Sequence, residues 1–183
     1  MRSILLPLCA ISLAALVGCE TNSPNSAASG VDLNNKSQTA LQQMTAQDPH
    51  LQDMLNNSIG YAIFPEIGQG AVGVGGASGQ GVVNRNGQRV GTVKMTQLSI
   101  GPDLGGQTYS ELIIFQNEKA LNQIMNDALE FGAEAHATVV KAGAAAGTQF
   151  NNGVAVFILP KGGLEVGASL TGQKFHFTAN SGM

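Results

Sequence analysis

The stretch AIFPEIGQGAVGVGGASGQGVV, Ala62 to Val83, decides the fold. In it Gly68, Gly70 and Gly73 spell GxGxxG directly after a strand-like apolar run. A dinucleotide site needs those glycines to turn from a strand into a helix whose N-terminus meets the pyrophosphate. Here Val74, Gly75, Gly76, Ala77, Ser78 and Gly79 follow, and each interior glycine costs a helix about 1 kcal/mol relative to alanine. No acidic residue stands about 20 positions further on to take a ribose hydroxyl; that region holds Arg85, Arg89 and Lys94. The absence of GK[ST] excludes a P-loop as well. The expectation is no nucleotide and no cofactor. The glycines belong instead inside strands, where they mark bulges, tight bends and close backbone approach. Gly101, Gly105, Gly106, Gly143, Gly147, Gly167 and Gly172 extend the same usage, as a strongly curved sheet requires.

Working outward, Tyr61 to Phe64 and Gly81 to Arg85 are strand candidates, and Asn86-Gly87 is a strong hairpin signal. Val90 to Ile100 and Thr108 to Phe115 read as further strands. One helix interrupts them: Asn117 is its cap, Leu121, Ile124, Met125, Ala128 and Leu129 form its apolar stripe, and Gly132 marks its end. Ala133 to Val139 alternates, Val154 to Leu159 is apolar on both faces, Leu164 to Thr171 alternates, and Phe175 and Phe177 flank His176. Before the strands, Ser37 is placed as the cap of a short helix carrying Leu41 and Met44. Asp48-Pro49 opens a second, striped by Leu51, Met54, Leu55 and Ile59. This second segment lacks the Lys and Arg of a membrane-surface helix, so the helices are read as a lid on the core. The pattern predicts a β-rich α+β domain: a strongly curved antiparallel sheet, barrel-like or folded over, with short N-terminal helices and one amphipathic helix.

The N-terminus adds an address. Arg2 precedes an apolar run from Ile4 to Val17, too short to span a bilayer and suited to a signal peptide over residues 1–18. Leu16-Val17-Gly18-Cys19 resembles the lipobox of bacterial lipoproteins, in which the cysteine receives a diacylglyceryl group and a further acyl chain. Two or more chains anchor a protein stably, so Cys19 is the expected lipidation site. Residues 19–36, rich in Asn, Ser, Ala and Thr, read as a flexible tether, and residues 37–180 as the folded domain. Cys9 would leave with the signal peptide and Cys19 would be acylated, so the mature chain has no thiol for a disulfide, zinc site or nucleophile. Loss of Arg2 takes Lys+Arg from 9 to 8 against 12 acids, a net charge of −4, which argues against nucleic acid as a partner.

Four spaced segments, GYAIFPEIGQGAVGVGGASGQGVV, LSIGPDLGGQTYSELIIFQNEKALNQIM, FGAEAHATVVKAGAAA and LPKGGLEVGASLTGQKF, resemble, in that order, the SYLF or Ysc84 family, from about Leu41 to Phe177. The nearest likeness is to bacterial SYLF lipoproteins, which carry the same lipobox and tether. The resemblance implies binding of membrane lipid, phosphoinositides in eukaryotic members, with no established enzyme activity. In fungi the family also binds actin. Eukaryotic members use a basic amphipathic N-terminal segment, which this chain replaces with Cys19 and a polar linker without a basic cluster, so neither phosphoinositide nor actin binding is carried over.

The chemistry of catalysis is sparse. His50, His136 and His176 lie in three separate segments, Gly76-Ala77-Ser78-Gly79-Gln80 misses the GxSxG elbow, and there is no HExxH. No catalytic or metal-binding residue is assigned. Arg85 and Arg89 flank the Asn86-Gly87 turn with Lys94 beyond, and these three are the lipid head-group candidates, set against the plainer reading of a solvated turn. Ile63, Phe64, Phe157 and Leu159 are a second option, as the lining of an apolar lipid pocket. The resulting expectation is a non-catalytic lipoprotein of the bacterial cell envelope that meets membrane lipid through Cys19 and its domain. Glu20 in place of an aspartate after the cysteine favours the outer membrane, facing the periplasm. No protein partner is named by the sequence; the rival readings are a structural or scaffolding envelope protein without a small ligand and, more weakly, a hydrolase.

Overall fold

In a computed structural model of the chain, residues 25–72, 74–100, 107–131, 135–162 and 170–180 are described. Helices α1 (Asn25–Gln47) and α2 (His50–Asn56) precede four strands, β1 (Gly60–Val72), β2 (Val74–Arg85), β3 (Gln88–Ile100) and β4 (Gln107–Phe115). Then come α3 (Glu118–Met125), β5 (Ala137–Val139), a 3-10 turn at Ala145–Gly147, β6 (Val154–Gly162) and β7 (Gln173–Ala179). The seven strands form one sheet in the order β5-β6-β4-β1-β2-β3-β7.

Two distances show the curvature. Strands about 4.8 Å apart put β4 and β7, four intervals away, about 19 Å from each other on a flat sheet. Yet Gln173 Nε2 on β7 donates to Glu111 Oε2 on β4 at 3.0 Å. Phe64 on β1 and Phe175 on β7 likewise have ring centroids 6.0 Å apart. The sheet therefore curls over on itself without closing. Inside the curl Phe64, Ile67, Met95, Ile113 and Phe115 pack with Ala120, Leu121 and Ile124 of α3. On the outer face α1 and α2 cover Ile63, Val82, Leu112, Ile114, Phe157 and Leu159. Burial on both faces explains why Val154 to Leu159 is apolar throughout instead of alternating.

The glycine-rich run is strand, and its glycines serve an irregularity in β1. The β1–β2 register shifts between Ile63 and Glu66, where Pro65 has no N–H to give a ladder. Ser110 Oγ donates to the Pro65 carbonyl at 2.7 Å from the β4 side. On the β2 side a Cβ on Gly81 would meet the Ile63 carbonyl oxygen at 2.6 Å, and one on Gly79 the Glu66 carbonyl oxygen at 2.7 Å. Only glycine lets the two backbones close on the bulge. At the other end of β2, Asn86 and Gly87 both take positive φ, 49° and 78°, the type I′ geometry of a two-residue hairpin.

Several expectations are corrected. The sheet is mixed, because β5 runs parallel to β6, with Ala137 opposite Val156. The segment between them, including the 3-10 turn, is long enough to bring the chain back to the same end. The first helix is 23 residues long rather than short, and residues 25–36 of the expected tether lie within it. Leu33, Ser37, Ala40 and Met44 fall on one face against the sheet, and that docking supplies what the polar composition does not. Ser37 is accordingly a buried mid-helix residue and not a cap. The cap position of α2 is Pro49 and not Asp48, although Asp48 Oδ1 accepts from His50 N at 3.2 Å just before it. Asn117 caps α3, accepting from Ala120 N at 3.0 Å, but α3 ends at Met125 and not near Gly132. There Asp127 takes φ 57° and accepts from Phe177 N at 2.7 Å, exchanging helix continuation for a bond to the free edge of β7. The alternating segment before β6 is strand only at Ala137–Val139. The expected signal peptide, Cys19, Gly73, Gly132 and the strand expected over residues 164–169 lie outside the described residues.

Candidate functional site

The three head-group candidates, close in sequence, are divided by the fold. Arg85 Nη2 pairs with Glu118 Oε1 of α3 at 2.9 Å, on the side of the sheet that α3 covers. Arg89 turns the other way, to α1, where Nη1 makes a long 3.5 Å hydrogen bond to the Gly30 carbonyl. Its Nε is buried with no partner among the described residues. Lys94 is exposed and lines, with Gly30, Leu33, His176 and Thr178, a depression of about 340 Å³ beside α1. Arg89 and Lys94 thus flank the first turns of α1, while Arg85 belongs to α3.

The four apolar candidates do not share a pocket. Phe64 faces the inside of the curl, whereas Ile63, Phe157 and Leu159 lie under α1 and α2. All four are buried core.

Sequence reasoning missed a polar group inside the curl. Glu111 is fully buried, its Oε2 held by Gln173 and its Oε1 without a partner among the described residues. Burial raises its carboxyl to about 7, against the opposing effect of the Gln173 amide. Tyr109, two residues earlier on the same face, has a hydroxyl without a partner among the described residues, raised first by burial and then by the Glu111 charge. The signal was present in TYSELIIF. Period two puts Glu111 on the face of Tyr109, Ile113 and Phe115, an inward position for a carboxylate.

A second buried carboxylate is structural. Asp48 joins the end of α1 to the 3-10 turn, accepting from Ala145 N at 2.7 Å with Oδ2 and from His50 with Oδ1. Burial opposes its charge, but the N–H groups of Ala145, His50 and Gly143 and the His50 ring outweigh it and hold the carboxyl below its usual value.

A concavity of about 590 Å³ lies beside α3. Gln123 of α3 and Gln149, Asn151 and Asn152 of the loop before β6 form its polar wall, and Leu129, Phe131 and Val156 its floor. His136 stands at its rim, whereas His50 and His176 are engaged by Asp48 and Asp127. Among the described residues no three His, Cys, Asp or Glu side chains gather as around a metal. No described helix is long and apolar enough to cross a membrane.

Residues 96–181, from the end of β3 through β7, match the family model described as Ysc84, Las17-binding protein actin regulator. Over 146 residues, 79% of the chain, it is 23% identical to Beta cell expansion factor A of Aeromonas veronii. The aligned stretch covers 56% of that protein's length, so the chain spans little more than half of this relative. The segment that holds Glu111, α3 and the concavity beside it is thus the part of the chain that matches the Ysc84 (SYLF) family model.

Proposed function

We propose that the protein is a lipoprotein held in the bacterial cell envelope by acyl chains on Cys19, whose domain contacts membrane lipid and carries out no catalytic step. The observation that carries this reading is the pair of cations, Arg89 and Lys94, at the start of α1. Cys19 lies six residues before Asn25, and six extended residues reach only about 20 Å. A bilayer holding the acyl chains therefore lies close to the face where Lys94 is exposed and Arg89 is half-buried against α1. Cations near an anionic surface are attracted by about 1 kcal/mol each, within a Debye length of about 8 to 10 Å. The pair supplies roughly 2 kcal/mol at low salt, enough to orient an anchored domain and too little to recruit it from solution. Anchoring supports so weak a contact by raising its effective concentration. Glu20 after the cysteine favours the outer membrane, facing the periplasm. On this reading the protein is exported, and the actin regulation in the family's description has no place in it.

The test is vesicle binding of the chain carrying Cys19→Ser, with increasing anionic lipid at two salt concentrations. The Arg89→Gln, Lys94→Gln double variant is expected to lose the salt-sensitive binding, and Arg85→Gln to retain it. Equal binding by the parent and the double variant removes the α1 face from the account. In cells, Cys19→Ser is expected to leave the membrane fraction or remain an uncleaved precursor; a fully processed chain still in that fraction refutes the anchor.

A further inference from the structure

We propose that the concavity beside α3 is a binding site for an uncharged saccharide. This goes beyond the membrane reading and is independent of it, since its residues are none of those at the start of α1. Its volume of about 590 Å³ falls among small-molecule sites, about 300 to 1,000 Å³. The wall is built from carboxamides. Gln123, Gln149, Asn151 and Asn152 line it, and among the described residues none of their side-chain amides is engaged in a hydrogen bond. A carboxamide donates and accepts at once, which is what a sugar hydroxyl or acetamido group also does, so each can pair with the ligand in either sense.

The floor suits the apolar C–H face of a sugar ring. Phe131 is set edge-on to Phe175, with centroids 5.9 Å apart and planes at 84°, and Leu129 and Val156 lie beside it. Among the described residues the charged groups of the lining are Lys119 and Glu130, one of each sign. Glu130 at the rim is taken up by Lys174 at 2.6 Å, and no arginine contributes the planar fork that carboxylates and phosphates draw on. The loop that presents the amides is ordered. Asn151 and Val154 exchange two backbone hydrogen bonds of 2.9 Å, and Gln116 N donates to the Gly153 carbonyl at 2.9 Å. Asn152 is held at φ 52°, a conformation most residues avoid, so the backbone that carries its side chain is set before any ligand arrives.

The same sugar can reach the groove free in solution or as a lipid head group, and the experiment separates the two. The full chain, labelled with 15N, is titrated with chitotriose, maltotriose and trialanine, and separately with micelles with and without a neutral glycolipid. Shifts of the Gln123, Gln149, Asn151 and Asn152 side-chain amides with either trisaccharide support a free saccharide. Shifts only with glycolipid-bearing micelles support a lipid-borne one. Asn152→Gly, which tolerates the positive φ, and Gln149→Ala are each expected to weaken binding about threefold to tenfold, the worth of one neutral hydrogen bond, with the rest of the spectrum unchanged. The proposal fails if these amides respond to trialanine alone, respond equally to sugar-free micelles, or respond to nothing at millimolar ligand. It also fails if both variants bind the active ligand as tightly as the parent.

Discussion

Glu111→Gln should make the protein more stable at pH 8 than the parent, and should do so because of proton binding. The carboxyl lies wholly inside the curl and is raised from 4.5 to about 7 by burial. In the unfolded chain it ionises near 4.5, so between those values the folded state holds a proton that the unfolded state has released. Its stabilising contribution is complete below 4.5, declines as pH rises through the folded value, and is gone above about 7. A difference of roughly two and a half pKa units, at about 1.4 kcal/mol each, makes the loss about 3 kcal/mol. Glutamine cannot ionise. It keeps an acceptor for Gln173 Nε2 and adds a donor for the Gln173 Oε1 that has no partner among the described residues. Urea unfolding of both proteins from pH 5 to pH 8 should therefore give a stability difference that grows with pH to about 3 kcal/mol, or roughly 6 to 12 °C in Tm at this chain length. Asp48, Asp127 and Glu130, all held below their usual values, matter below that window and cancel between the two proteins. Parallel profiles from pH 5 to pH 8, or a variant less stable at pH 8, would refute the burial argument.

Other outcomes follow from the same geometry. Gly81→Ala and Gly79→Ala, whose Cβ atoms would collide with backbone oxygens across the β1 bulge, should each cost about 2 kcal/mol or more by denaturant unfolding. Gly70→Ala, with nothing within 4 Å of its Cβ, should be close to neutral, and a reversed order would remove the close-approach account. Asp48→Ala leaves Ala145 N without its carboxylate and should cost about 2 kcal/mol at pH 7. Because the Asp48 pKa is lowered on folding, that penalty should shrink as pH falls through the folded value; a penalty constant down to pH 2 would contradict it. Calorimetric titration with NAD or ATP should give no heat of binding, and micromolar affinity abolished by Gly70→Ala would restore the nucleotide reading of the glycine run.

Local rules made much of this molecule legible in its sequence. Asn86-Gly87 specifies its turn because both residues tolerate positive φ, Asn117 caps α3 through its own side chain, and period-two alternation locates most strands. Even the rejection of a phosphate loop rests on local physics, since the residues after Gly73 cannot sustain a helix. Where burial by distant elements decides, the same reading falls short. Asn25 to Lys36 looks like linker, yet α1 extends through it because Leu33, Ala40 and Met44 find a sheet face assembled from residues 61–159. Arg85 and Arg89 look like one cationic cluster, yet α1 and α3 claim one each from opposite sides of the sheet. Glu111 stands on an inward face in the sequence pattern, but its loss of water depends on β7 curling across four strand intervals to reach it. Period two tells which way a side chain points; what it meets there, and hence its charge, is decided by contacts between residues far apart in the chain.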